Sequence, residues 1–441
     1  MSTVQAPPQT IWIDVSTSWK NRDGHMNGTL RTERNYACEL QGLMPERLRL
    51  CRFQATRRRF AAVEILPDLR RPVRTAQREV LPRHRENKPK PHVGRQLEQI
   101  VRRWRRSTAT AAFGAIDAIC GGAQPFPAAR AGDVLLLAGE NWNGYDFATL
   151  RLLRNPGKMR IAAICQDLIP IKCPQFFEAD GFLERFRRYL DFLIGQVDLV
   201  IVPSAQTAKD LADYAREHGG RYGETQRIEL GHDIARGGET ADIPDDLARM
   251  ALEPGKFVLS VSTIQARKNF DLLYRLWRRC IEERLPDLPK LVLVGRAGFG
   301  SADLLWQLDH DPLVRDCIMV RHDISDAGLA WLYRNCAWTM YPSFYEGWGL
   351  PVSESLAYGK FCLASTAAAL AEAGQGLSQH IDPLDFGRWH DAVVDLVRNP
   401  ARLASREQDI KARYRPMTWR QSAEKLGAML LRLCDKPADE R

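Results

Sequence analysis

No stretch of this chain is apolar for long enough to cross a bilayer, which takes roughly 20 residues. The opening residues, MSTVQAPPQT, have neither the basic start nor the apolar run of a secretory signal. Ten cysteines occur, yet none forms a CxxC pair, and Cys165, Cys336 and Cys362 lie inside apolar runs. That pattern argues against a disulfide framework and for free thiols acting as small hydrophobes. No HExxH motif or Cys/His cluster suggests a metal centre, and no metal or other cofactor is expected. The expectation is a cytoplasmic chain, soluble or at most peripheral to a membrane.

What is present suits a globular protein: 441 residues, 45% hydrophobic and 27% charged. That length favours two domains. The net charge of +9 is uneven. Between Arg47 and Arg106, 19 Lys and Arg face only 5 Asp and Glu, so this region alone outweighs the net of the whole chain. Prolines 67, 72, 82, 89 and 91 break any periodicity, and about 66–106 reads as an irregular basic insertion. It ends in QLEQIVRRWRR, with Leu97, Ile100, Val101 and Trp104 on one side. Such a stretch suits an anionic membrane surface or a solvated flap. No nucleic-acid motif accompanies the charge, and no nucleic-acid partner is expected.

Elsewhere strand-like runs alternate with helical spacing. Thr10–Val15, Leu48–Gln54, Phe60–Ile65, Asp133–Ala138, Met159–Asp167 and VDLVIVPS form a first set. Helical spacing begins near Thr29, recurs from Phe182 to Ile194, and follows the cap Ser204. A polar linker, 231–254, separates this first α/β domain (1–230) from a second (255–415). The second restarts the pattern with Phe257–Ile264, Lys290–Gly295, Cys317–Val320 and Ala337–Tyr341.

The chain is organised around Tyr341 to Glu354, YPSFYEGWGLPVSE. It reads as strand, glycine-containing loop and helix start. Gly347 and Gly349 let backbone approach a ligand closely. Pro351 suits a first helical turn, and amides there can hold an anion. Glu346 in the loop and Glu354 on the helix would face one crevice and accept hydrogen bonds from hydroxyls. A ligand with phosphates and several hydroxyls, such as a nucleotide sugar, fits this set.

Further candidates converge on it. In QARKN, Arg267 and Lys268 precede a helix for which Asn269 is the expected N-cap, an arrangement suited to a diphosphate. Glu346 and Lys268 are both read as exposed in a cleft. Gly28 and Thr29 follow the first strand, at the sheet end where ligands bind. Arg31 beside them reads either as a contact to phosphate or acceptor, or as part of a solvated helix start. Gln166 and Asp167 end another strand at the same edge. Gly295, Gly298 and Gly300 do not fit GxGxxG. Asp309 and Asp311 form a DxD, but they follow a helical stretch and read as a loop without metal.

QARKN, KLVLVG and PSFYEGWGLPVSESLAYG together resemble glycosyltransferase family 4, of GT-B fold, most clearly from about Phe257 to Ser365. CQDLIPIKCPQFF resembles the HDLIPxxxP segment of bacterial members that build surface polysaccharides or lipopolysaccharide. MTWRQSAEKLGAML (within 416–434) resembles their last helix, which crosses back onto the first domain. The resemblance implies an α/β chain of two Rossmann-like, doubly wound domains facing across a cleft. It implies a retaining, metal-independent hexosyltransferase that uses a nucleotide diphosphate sugar, with GDP-mannose as the guess. The implied acceptor is a glycan or a lipid-diphosphate-linked glycan. Glu346, Arg267, Lys268 and Asp167 become the catalytic candidates. Gly347, Trp348, Gly349, Leu350, Glu354, Ile324, Gly28, Thr29 and Gln166 become the donor-binding ones, with the base near His322. The family commonly has His where this chain has Gln166. Two alternatives stand beside this reading: a catalytically silent sugar-nucleotide-binding subunit, or another GT-B enzyme such as an epimerase.

Overall fold

Short runs rich in Val, Ile and Leu, bounded by turns and helices, build two sheets. The computed structural model describes residues 8–21, 27–64, 126, 128–154, 159–177, 181–220, 223–234, 243–322 and 324–436. The first sheet holds β1 (Ile11–Asp14), β2 (Leu48–Gln54), β3 (Arg59–Val63), β4 (Val134–Leu137), β5 (Arg160–Ile164), β6 (Leu199–Val202) and β7 (Glu224–Arg227). Their spatial order is β3-β2-β1-β4-β5-β6-β7. All pair in parallel except β2 with β3, a hairpin turning through Ala55–Arg57 and the left-handed Arg58. Strands β1, β4 and β6 are buried along their whole length, as parallel strands covered on both faces must be.

The second sheet repeats the plan. It holds β8 (Phe257–Val261), β9 (Lys290–Val294), β10 (Ile318–Arg321), β11 (Thr339–Tyr341), β12 (Cys362–Ser365) and β13 (Gln379–Ile381). The order is β10-β9-β8-β11-β12-β13, with all pairs parallel. In each sheet the chain runs outward to one edge and returns to the far side of its first strand. The reversals fall between β1 and β4 and between β8 and β11. Crevices outside the carboxyl ends at such reversals are where open α/β sheets bind ligands.

Two chain passages join the halves side by side. Gly231 lies against the backbone of Trp419, where an added Cβ would stand 2.4 Å from the Trp419 Cα. The His232 amide donates to the Met417 carbonyl at 3.1 Å, and the Trp419 amide donates to Asp233 Oδ1 at 2.6 Å. A capping box of Thr418 and Gln421 starts the final helix, Trp419–Asp435. That helix packs on the Gly28–Leu43 helix of the first domain. Tyr36 meets Trp419 edge-to-face at 5.5 Å, and its hydroxyl pairs with Ser422 Oγ at 2.8 Å. The basic insertion expected near 66–106 lies outside the described residues.

Candidate active site

The reversals of the two sheets bound one cavity of about 1100 Å³. All thirteen residues proposed from the sequence as catalytic or donor-binding line it, and so do Arg31 and His322.

The organising loop runs from the end of β11 to the helix Leu350–Ala357. Gly349 bends it with φ of 115°, a conformation glycine alone takes readily, and Pro351 sits in the first helical turn. Its residues are shared between the domains. Phe344 stacks on Phe176 of the first domain at 5.5 Å, and the Tyr345 hydroxyl donates to Asp210 there at 2.6 Å. Glu346 turns inward to its own domain. Gly347 faces the first domain again: its carbonyl accepts from Thr207 Oγ1 at 3.2 Å, and an added Cβ would stand 2.2 Å from the Gln166 carbonyl oxygen. The close approach that needs glycine at 347 is thus to the first domain's backbone.

Glu346 and Lys268 are not exposed: 7% and 8% of their surfaces remain accessible. The reason is that they neutralise one another. Glu346 Oε1 meets Arg267 Nη1 at 2.9 Å and accepts from Lys268 Nζ. Lys268 Nζ also donates to the Tyr341 hydroxyl at 2.6 Å. Burial alone would raise the Glu346 carboxyl, but Arg267 and Lys268 outweigh it and hold it at about 2. Burial lowers the Lys268 ammonium to about 8 against the pull of Glu346. Burial raises the Asp167 carboxyl above its ordinary value, with Arg267 opposing. The cluster thus sets two cations, Arg267 and Lys268, beside Glu346 and the Asp167 carboxyl at the cavity wall, and an anion entering there would meet the two cations.

Glu354 is also buried, and Tyr333 donates to its Oε2 at 2.8 Å. Its Oε1 is held by the guanidinium of Arg31, which reaches across from the first domain. Arg31 thus lines the cavity, with 20% of its side chain accessible, while paired to Glu354. Asn27 caps its helix by accepting from the Leu30 amide at 2.8 Å. Gly28 opens on free space, with nothing within 4 Å of an added Cβ. The Gln166 amide nitrogen is buried without a hydrogen-bond partner.

Two expectations fail locally. Asn269 precedes its helix but does not cap it. It takes a left-handed conformation (φ 55°), tolerated by Asn, to turn the chain out of the Ala266–Lys268 turn. Its amide instead donates to the Pro342 and Pro383 carbonyls. Asp309 lies inside the helix Ala302–His310 rather than in a loop, and Asp311 accepts from Tyr274 and Arg278. Among the described residues no group of three His, Cys, Asp or Glu is placed to hold a metal ion. Tyr333, Asp210 and Glu372 were missed. Glu372 accepts from the Ala205 and Gln206 amides, at 2.8 and 3.0 Å, and so caps a first-domain helix from the second domain. No local signal marks these residues; each acts on a partner remote in sequence.

Residues 245–407 match the family model described as glycosyl transferases group 1. Over 129 residues the chain is 31% identical to O-antigen chain mannosyltransferase B of Escherichia coli, covering 29% of this chain and 33% of that one. Over 205 residues it is 27% identical to the serotype-specific mannosyltransferase WbdA of Escherichia coli, covering 44% of this chain and 24% of that one. It thus spans a third or less of the length of these relatives. Among solved structures it resembles sucrose-phosphate synthase from Thermosynechococcus elongatus, at TM-score 0.60 and 19% identity, over 96% of this chain and 99% of that one. It also resembles Anabaena HepE in complex with UDP, at TM-score 0.55 and 13% identity, over the same shares. Residues 245–407 are therefore a domain of the glycosyl transferases group 1 family, set in a chain of two-domain GT-B fold.

Proposed function

We propose that this protein is a retaining glycosyltransferase. It moves a hexose, with mannose the favoured candidate, from a nucleotide diphosphate sugar to a glycan or lipid-linked glycan acceptor. The observation that carries the reading is the buried Glu346–Arg267–Lys268 cluster facing the cavity at the β8/β11 reversal. The names of the mannosyltransferase relatives support the choice of sugar.

On this reading the diphosphate lies against Arg267, Lys268 and the amides after Gly347. Breaking the anomeric C–O bond gives the sugar oxocarbenium character and loads negative charge onto the diphosphate. Fixed cations beside that oxygen gain interaction energy as the charge grows, so they lower the barrier rather than merely tighten binding. Glu346 accepts hydrogen bonds from hydroxyls of the transferred sugar while holding both cations in place. Glu354 takes the ribose hydroxyls. The acceptor hydroxyl attacks from the face the diphosphate leaves, which retains configuration without a covalent sugar–enzyme intermediate. The protein works in the cytoplasm, and its basic insertion docks it on the anionic inner face of the membrane.

A panel of nucleotide sugars with glycan acceptors, read by nucleotide release, tests this. GDP-mannose should give release that depends on an acceptor and persists in EDTA, because side chains supply the positive charge. Release without any acceptor, or none with any nucleotide sugar, would sink the reading.

A further inference from the structure

Both oxygens of Glu354 are already engaged. Tyr333, wholly buried and from the same domain, holds Oε2. Arg31, from the other domain, holds Oε1. The two partners differ in access: the Arg31 side chain is 20% exposed and lines the cavity, against 2% for Glu354. Each oxygen keeps a second lone pair, but only 2% of the Glu354 side chain is accessible while Arg31 lies against it, so a ribose diol that takes the carboxylate with both hydroxyls gains its access as Arg31 gives way. The displaced guanidinium then needs another anion, because a buried charge left unpaired is costly.

Arg31 sits in the first turn of the Gly28–Leu43 helix, whose Gly28 and Thr29 also line the cavity. Gly28 has open space before it, and the start of a helix favours negative charge. The field that Arg31 feels comes first from Glu354 and then from Asp326, both in the second domain. Phosphates entering between the domains replace that field with a stronger one, and a guanidinium fork matches phosphate oxygens well.

We propose that Arg31 is an exchanging ligand-binding residue: it holds Glu354 across the cleft until a ribose takes that carboxylate, and then turns to the phosphates of the same nucleotide. The inference rests on Glu354 being the ribose site, as read above. Its consequence is a pair of opposite effects. A nucleoside without phosphates pays for the lost ion pair and gains nothing from Arg31. A nucleoside diphosphate recovers that loss through its phosphates.

The test is calorimetric titration of guanosine and GDP, with uridine and UDP in parallel, into the intact protein and its Arg31→Gln variant. The variant should bind the nucleoside several-fold more tightly and the diphosphate about tenfold more weakly or worse. Arg31→Lys, which keeps the charge without the fork, should recover part of the diphosphate affinity. It also serves as the second variant should Arg31→Gln fail to fold by thermal unfolding. If nucleoside and diphosphate weaken together, Arg31 is a fixed brace and the exchange is wrong. If neither affinity moves, it is equally wrong. If the unmodified protein binds none of the four compounds, the nucleotide reading of the site falls and takes this inference with it.

Discussion

Glu346 is a buried anion between two buried cations, so its removal has two separable effects. Glu346→Ala leaves Arg267 and Lys268 facing each other without the carboxylate that pairs with both, and with only the raised Asp167 carboxyl nearby. Breaking a buried ion pair from one side costs about 3 kcal/mol or more. The variant should therefore unfold at clearly lower denaturant concentration as well as lose transfer. Glu346→Gln, which keeps the shape and one acceptor, should recover part of the stability and little of the activity. Equal midpoints for Glu346→Ala and the parent in urea would show that the cluster carries no such energy. Lys268 gives a second residue-scale outcome. With its ammonium lowered to about 8, it is charged below that pH and loses its proton above it. Nucleoside diphosphate affinity should be flat below pH 7 and weaken as pH rises through 8, and Lys268→Arg should remove that bend. A flat profile from pH 7 to 9.5 in the parent would take Lys268 out of anion binding.

The loop from Pro342 to Gly349 is the element on which both domains act, because Phe344, Tyr345 and Gly347 meet the first domain while Glu346 turns to the second. Gly347→Ala places a methyl group against the Gln166 carbonyl, and backbone cannot yield as a side chain end can. The domains should then fail to meet correctly while the second domain stays folded. Nucleotide affinity is expected to change only a few-fold and turnover to fall roughly 100-fold, since small misplacements cost that much. Parallel measurement of binding and single-turnover rate checks it; unaltered turnover would mean the approach at Gly347 is not needed. This element also shows what the sequence displays and what it hides. The apolar run into β11, the two glycines and Pro351 are local signals, and they gave the strand, bend and helix. The candidates on the other elements came from the same kind of reading at the ends of strands, and they reach one cavity. What a residue touches across the cleft is not local. Arg31 and Glu354 are 323 positions apart, and Glu372 meets Ala205 from 167 away. Burial was misjudged at Glu346 and Lys268 for the same reason: charge reads as exposure until its partner is in view. Asn269 shows the converse, where the usual cap residue was used for its tolerance of a left-handed turn.

At the scale of the molecule, the two passages between domains meet at His232. The ring is almost wholly buried. Nδ1 faces the Leu230 carbonyl at 3.3 Å, and Nε2 accepts from the Met417 amide at 3.1 Å. Burial pushes its pKa down from 6.5 to about 4. A neutral imidazole is thus favoured in the folded protein, and the unfolded chain binds the proton first as pH falls. The stability from this group is whole above pH 6.5 and is lost between there and pH 4, by up to about 3 kcal/mol. Asp14 and Glu33 oppose it, because burial raises their carboxyls to about 6 and about 8, which favours the folded state at lower pH. The difference between the parent and His232→Asn isolates the effect: it should shrink between pH 7 and pH 4. A constant difference across that range would show that His232 does not titrate in folding.

The return of the last helix onto the Gly28–Leu43 helix also sets an order of events during synthesis. The first domain contains residues from both sides of the second, so the ribosome cannot release it complete. Residues 257–413 can close their sheet and helices once they emerge. Tyr36 and Leu40 must wait, uncovered, until Trp419–Asp435 has been made. The half that is translated first is therefore the half that finishes last, and a chain cut short before Trp419 would leave the nascent first domain, not the second, in need of a chaperone.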